Sequence, residues 1–168
     1  IAALQRELAV TTVYVTHDQI EAMTMGDRVA VLKDGYLQQV DTPQNLYDKP
    51  DNVFVAAFIG SPSMNLYDAT HYVTGDTGMV HLGDQTLTIG DEVFTARPAL
   101  RGYDGKTLIV GIRPEDFEDA AMVEHETSGR QLNSTISLIE ALGSELMVHI
   151  DLAPRTDHSV DPHPVEQD

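Results

Sequence analysis

The sequence predicts an α/β segment over residues 1–60 followed by an all-β domain over residues 66–152. Three observations carry that reading. Ile1, Leu4 and Leu8 recur at helical spacing and lead directly into a β-branched and aromatic run, Val10-Thr-Thr-Val-Tyr-Val15, which reads as a strand buried on both faces, the kind found in parallel sheets. Ser61-Pro-Ser-Met-Asn65 has linker composition. Beyond it, Gly-Asp pairs recur at Gly75-Asp76, Gly83-Asp84 and Gly90-Asp91 between short alternating runs, which is the spacing of successive turns in an all-β fold.

Composition narrows the function classes. The formal net charge of −17 argues against nucleic acid, whose recognition normally shows a basic footprint, and against an anionic lipid surface. Solubility accounts for such a charge. Cysteine is absent, so no disulfide framework or thiolate metal site is available. No apolar run approaches the ~20 residues that span a bilayer, so any membrane association is expected to come through partner subunits. The chain opens at Ile1 in the middle of a helical pattern, and it is read as a piece of a longer protein.

Taken in order, the strand of Val10–Val15 is expected to stop at His17, and Asp18 to cap a short helix with Glu21 three residues on, as in a capping box. This places an imidazole at the carboxyl end of a buried strand, the edge where ligands bind in open α/β sheets. A lone histidine there is commonly a hydrogen-bonded structural residue. Ile20, Ala22, Met23 and Met25 form the packing side of the short helix. Arg28–Lys33 and Tyr36–Val40 read as two antiparallel strands joined at Asp34-Gly35, an edge addition to the parallel sheet. Thr42 caps a helix with Pro43 at its first position, Leu46 and Tyr47 on its buried side, and Lys49-Pro50 at its end. Asn52 caps a nearly all-apolar helix, Val53–Ile59, closed by Gly60.

In the second domain Val80 and Leu82 face one way, as do Leu87 and Ile89 with Thr86 and Thr88 outside. Asp104-Gly105 marks a further turn. Lys106–Ile112 is a strand with Leu108, Val110 and Ile112 on one face. Asn133–Glu140 and Glu145–Asp151 form a pair joined at Leu142-Gly143-Ser144, with Leu146, Val148 and Ile150 alternating against Met147, His149 and Asp151. Half-buried alternation of this kind fits a small barrel or sandwich. Residues 153–168 carry three prolines and four acids and are expected to be disordered or a long loop.

His17 is the candidate catalytic and ligand-binding residue because it does not stand alone. The run Thr16-His-Asp-Gln-Ile-Glu-Ala-Met-Thr-Met25 continues through Gly26-Asp-Arg-Val-Ala-Val-Leu-Lys-Asp-Gly-Tyr-Leu-Gln-Gln-Val-Asp-Thr-Pro43 to Leu46-Tyr-Asp-Lys-Pro50 and Phe54-Val-Ala-Ala-Phe-Ile-Gly-Ser-Pro62. Over roughly the first 66 residues the order resembles the ATPase subunits of carbohydrate-importing ABC transporters of the maltose-importer type. Val110-Gly-Ile-Arg-Pro-Glu-Asp-Phe117 resembles the signature of the C-terminal regulatory domain of the same subunits, a β-barrel related to the OB-fold. Between about Tyr67 and Thr107 only the pattern matches.

The resemblance implies the α/β end of an ABC nucleotide-binding domain over residues 1–60, a linker at 61–65, and an incomplete OB-fold-like regulatory domain over 66–152. It implies His17 as the switch histidine that contacts the γ-phosphate of ATP, with Mg2+ as the accompanying ion. It implies a homodimer of ATPase subunits on the cytoplasmic face, two transmembrane permease subunits above it and an extracellular solute-binding protein. In such systems the solute is chosen by the binding protein and the membrane subunits. The Gly-rich phosphate loop with its lysine, the ABC signature and the magnesium- and water-binding acids do not occur here. In the family they precede the position of Ile1, so this piece alone is expected to be inactive and to lack a grip on ATP. Asp41 stands where the family usually has glycine, a turn position that Asp tolerates.

Other candidates have plainer readings. Arg113 and Glu115 are placed to pair across the turn fixed by Pro114, tying it down. His71, His81, His125, His149, His158 and His163 lack metal spacing and read as solvated surface residues. The acidic run Glu115–Glu126 lacks the ordered ligands and glycine of a calcium loop. The rival functional class is a non-enzymatic β-barrel that binds a small ligand or a partner protein, and a third is a purely structural dimerisation piece.

Overall fold

The computed structural model describes residue 7 and residues 10–124, 128–143 and 145–152. They fall into two compact units that divide between Met64 and Asn65. The expected N-terminal helix and the tail at 153–168 lie outside the described residues, Glu7 apart.

In the first unit, α1 (Gln19–Met25) precedes an antiparallel hairpin of β1 (Val29–Lys33) and β2 (Tyr36–Asp41). The turn holds Asp34 at φ 51° and Gly35 at φ 84°. Two successive left-handed residues are what a two-residue hairpin requires, and Asp-Gly supplies them at low steric cost. Two short helices follow, α2 (Pro43–Asp48) and α3 (Val53–Phe58), capped by the side chains of Thr42 and Asn52. Val31, Leu46, Val55 and Ile59 make the core, with Met23, Val29, Tyr47 and Phe54 packed against it.

One buried amide locks these elements together. Gln39 is 6% exposed; its Nε2 donates to the Lys49 carbonyl at 3.0 Å and its Oε1 accepts from the Asp51 N–H at 2.9 Å. It thereby satisfies the backbone between α2 and α3, where no regular ladder reaches. Asp41 does similar work. Its carboxylate accepts from the Thr42 N–H at 2.7 Å and from Asn45 Nδ2 at 2.9 Å. The left-handed turn expected at Asp41 is absent: this residue ends β2, and its side chain braces the start of α2.

The run Val10–Val15 corrects the sequence reading. It forms no strand, and Val13 and Val15 are 87% and 90% exposed. A strand exists through its ladder partners, and among the described residues none lies beside it. Every described strand pairs antiparallel, so the parallel sheet is not seen here, and β1–β2 stands as a two-stranded sheet of its own. Ile20 and Phe58, expected inside, are also exposed.

The second unit is built on a four-stranded sheet in the order β5-β4-β3-β6, from β3 (Asn65–Thr74), β4 (Thr77–Leu82), β5 (Gln85–Ile89) and β6 (Thr107–Ile112). Hairpin turns fall at Gly75-Asp76 and Gly83-Asp84. Tyr67, Ala69 and His71 on β3 alternate inward, beside Val80 and Leu82 of β4. Leu87, Ile89, Val110 and Ile112 complete the apolar face, and Leu132 and Leu152 pack on it.

The third Gly-Asp pair behaves differently. Gly90 is the N-cap of a helix, α4 (Asp91–Ala96), and a 3-10 segment covers Pro98–Tyr103. Asp91 and Glu92 in the first turn favour the helix dipole, and Phe94, 3% exposed, anchors it to the sheet. That anchor needs Gly78, because a Cβ there would lie 2.4 Å from the Phe94 ring.

The free edge of β5 is covered by the segment before the last two strands. The Thr88 N–H donates to the Gly129 carbonyl at 2.6 Å. The Gln85 side chain exchanges two hydrogen bonds with the backbone of Asn133, an imitation of a ladder step. β7 (Thr135–Ala141) and β8 (Leu146–Asp151) then form a separate antiparallel ribbon. Its expected half-buried alternation is not found. Leu146 and Val148 are exposed, as are Ile136, Leu138 and Ile139, and the described residues close no barrel. A ribbon buries one face only when a second layer covers it.

Two predictions follow from this packing. Gly78→Ala forces the Phe94 ring out of its notch, and overpacking of this kind costs about 1–3 kcal/mol; calorimetry should show the melting temperature of the β unit falling while the first unit's transition stays put. The Asp41 carboxyl is held below the usual carboxylate range, first by the Asn45 amide and then by the Thr42 N–H. A carboxyl depressed in the folded state contributes stability above its unfolded pKa of about 3.9 and loses it as pH falls through the lower folded value. Circular-dichroism melts should therefore show wild type above Asp41→Ala at pH 7, with the gap closing below about pH 4.

Candidate functional site

His17 lies in a bend between the extended run 10–16 and the first turn of α1, and its side chain is exposed. The anchor beneath it differs from the expected strand end: hydrogen bonds on either side hold the bend. Asp18 caps α1, its Oδ1 accepting from the Glu21 N–H at 3.1 Å. The Asp18 N–H donates to Thr16 Oγ1 at 3.0 Å. The Thr16 hydroxyl in turn donates to Glu21 Oε2 at 2.8 Å, and Tyr14 Oη donates to the same oxygen at 3.1 Å.

Asp18 is thus the cap that the sequence predicts, but the capping box is rearranged. A Glu at this position ordinarily reaches back to the N-cap N–H. Here Thr16 takes that N–H and passes the connection on to Glu21. The Tyr14 hydroxyl is pushed above its ordinary pKa, chiefly by its hydrogen bond to the Glu21 carboxylate and then by that carboxylate's charge. Chemically, the arrangement presents an imidazole to solvent on a bend tied at both ends. It is suited to give an N–H to an anion.

At the first position of α1, next to the Asp18 cap, Gln19 Oε1 accepts from the Gly60 N–H at 3.1 Å. This ties the start of the helix to the segment that follows α3. In the second unit Arg113 is 7% exposed and Glu115, in the 3-10 turn Pro114–Asp116, is exposed. Arg113 is part of the interior.

The histidines divide. His71, expected at the surface, is fully buried. Its Nδ1 lies 3.3 Å from the Tyr103 carbonyl, so Nδ1 carries the proton. Its ring sits 5.9 Å from that of Phe94, and its Nε2, like the Tyr67 hydroxyl, is buried with no hydrogen-bond partner among the described residues. The signal was present in the sequence: Tyr67, Ala69 and His71 share the inward parity of one strand. His81 is exposed, with its ring 4.7 Å from that of Tyr72. His149 Nε2 lies 2.8 Å from Glu140 Oε2 on the ribbon. His125, His158 and His163 lie outside the described residues. No group of three or more acidic or imidazole side chains converges as a metal site among the described residues, and no described helix is long and apolar enough to cross a membrane.

Comparison with known proteins shows what the chain is similar to. Residues 60–117 match the MalK OB fold domain, and most of the chain aligns with ATP-binding proteins of sugar import systems. Over most of its length the chain is similar to proteins named as ATP-binding subunits of sugar import systems. It is 49% identical over 148 residues to the trehalose/maltose import ATP-binding protein of Thermococcus litoralis, covering 88% of this chain and 39% of that protein. It is 56% identical over 118 residues to the diacetylchitobiose uptake system ATP-binding protein of Streptomyces coelicolor, covering 70% and 29%. It is 50% identical over 147 residues to the xylose/arabinose import ATP-binding protein of Haloferax volcanii, covering 88% and 35%. The chain thus spans about two fifths or less of the length of these relatives.

The carboxylate at the centre of the bend is accessible to spectroscopy. Replacing Glu21 by Gln removes the charge that opposes Tyr14 ionisation. In an alkaline ultraviolet titration, the difference between the wild type and Tyr14→Phe should report a tyrosine ionising above the ordinary value of about 10. In the Glu21→Gln background the same difference should move back towards it.

Proposed function

We propose that this chain is the C-terminal part of the ATP-hydrolysing subunit of an ABC importer for a sugar or related solute. The observation that carries the proposal is the alignment of 88% of the chain, at 49% identity, with a trehalose/maltose import ATP-binding protein. Residues 1–60 are the end of the nucleotide-binding domain. In the longer protein, strands on either side of Val10–Val15 supply the ladders that the run lacks among the described residues. Residues 66–152 are the regulatory β-domain. The subunit works as a homodimer on the cytoplasmic face of the membrane, beneath two transmembrane permease subunits that receive the solute from an extracellular binding protein.

Within that frame His17 is the switch histidine. Phosphoryl transfer is mainly positioning and electrostatic stabilisation. An imidazole N–H held on a fixed bend supplies a donor to the γ-phosphate at low reorganisation cost, and its exposure suits it to meet a ligand held mainly by other residues. An exposed imidazole N–H at this bend suits a phosphate contact. On this reading the residues that grip nucleotide and Mg2+ belong to the remainder of the longer protein.

The test is made in the full-length subunit. His17→Ala should reduce ATP turnover by roughly a hundred-fold or more, the size of effect found for loss of one transition-state donor, while ATP binding measured by equilibrium dialysis stays within about three-fold. Weak binding with normal turnover per bound ATP would overturn the assignment.

A further inference from the structure

We propose that Glu21, acting through Thr16, is a positioning residue for His17: it sets the direction of the imidazole and thereby the rate of the hydrolytic step. The inference rests on the switch-histidine reading above and adds to it the residues that aim the donor.

The argument is geometric. The bend that carries His17 is held by the residues on either side of it. On one side the Thr16 hydroxyl is donor and acceptor at once, giving its proton to Glu21 Oε2 at 2.8 Å and receiving the Asp18 N–H at 3.0 Å. On the other, Asp18 is fixed by the Glu21 N–H at 3.1 Å. Residues 16, 18 and 21 thus form a closed circuit with His17 at its apex, and Glu21 enters it twice, by side chain and by backbone. Tyr14 Oη adds a third bond to the same carboxylate oxygen. Asp18 and Thr16 between them make the two bonds of a capping box, so the bond from the Thr16 hydroxyl to the Glu21 side chain is surplus to the cap. What it adds is a fixed direction for the peptide that carries the imidazole.

The chemistry sets how this must show. A misaimed donor is worth little at the moment charge develops, and a displacement of about 1 Å can cost up to a hundred-fold in rate. Nucleotide affinity, supplied elsewhere, should hardly change. A merely structural role would instead lower stability and disturb binding and turnover together.

The experiment uses the full-length subunit and compares wild type, Thr16→Val, Thr16→Ser, Glu21→Ala and His17→Ala, with the double variant Thr16→Val/His17→Ala. Thr16→Val keeps the shape and removes both hydrogen bonds. It and Glu21→Ala should lower kcat for ATP by roughly ten- to a hundred-fold with KM and melting temperature little changed, and Thr16→Ser should restore most of the loss. The double variant should be no slower than His17→Ala, because a residue that acts through His17 has nothing left to position. Normal kcat in Thr16→Val and Glu21→Ala, beside a slow His17→Ala, would overturn the positioning role and leave the switch reading standing. A loss in Thr16→Val that adds in full to that of His17→Ala, or that follows a fall in melting temperature, would also overturn it. Normal turnover in His17→Ala would remove the switch reading and this inference with it.

Discussion

Backbone pairing along β3 holds the larger unit together. It is ten residues long and is hydrogen-bonded on both edges, to β4 through Thr70–Thr74 and to β6 through Asn65–Thr70. Only Thr70 lies in both registers, so the two neighbours take turns along the strand. The inward residues of β3 sit at the centre of the apolar face for this reason. Phe94 reaches the face where β4 has a glycine, and Arg101 lies over the Phe94 ring at 4.8 Å while bonding back to Gly75 and Asp76. The guanidinium thus links the 3-10 segment to the first hairpin turn by its flat face and its edge at once.

The smaller unit has too little sheet for that solution and relies on side chains. Gln39, Asp41, Thr42 and Asn52 each accept from a backbone N–H, and Gln39 also donates to a backbone carbonyl. Two helices of six residues leave most of their terminal groups without intrahelical partners. Amides and carboxylates placed at those ends serve the purpose that long helices achieve internally. His17 is held by the same device, since its bend too is fixed by side chains bonding to backbone.

Much of this was legible in the residues and some was not, for reasons that differ by element. Asp34-Gly35, Thr42-Pro43 and Asn52 encode their turn and caps locally, and the structure has them where the spacing puts them. Gly90-Asp91 looks like its two predecessors, yet the acids and Phe94 that follow make it a helix start. His71 was read by residue type, whereas the parity of Tyr67 and Ala69 placed it inside. Val10–Val15 and the ribbon at Leu146–Ile150 are the instructive failures. Their composition states what they bury when covered, and the cover is not among the described residues. At the site, His17 and the Asp18 cap were visible from order and spacing; the route through Thr16 to Glu21 was not, because a capping box predicts a different partner for the same carboxylate.

The exposed ribbon has a colloidal consequence. Ile136, Ile139, Leu146 and Val148 present a greasy strip on one face of the ribbon, on a chain of net charge −17. Copies of the chain repel over the Debye length, about 30 Å at 0.01 M salt and about 8 Å at 0.15 M. In dilute buffer that repulsion keeps the strips apart. Added salt shortens its range and leaves the apolar attraction intact, so self-association of this chain rises with ionic strength, opposite to the salting-in usual for proteins joined by ion pairs.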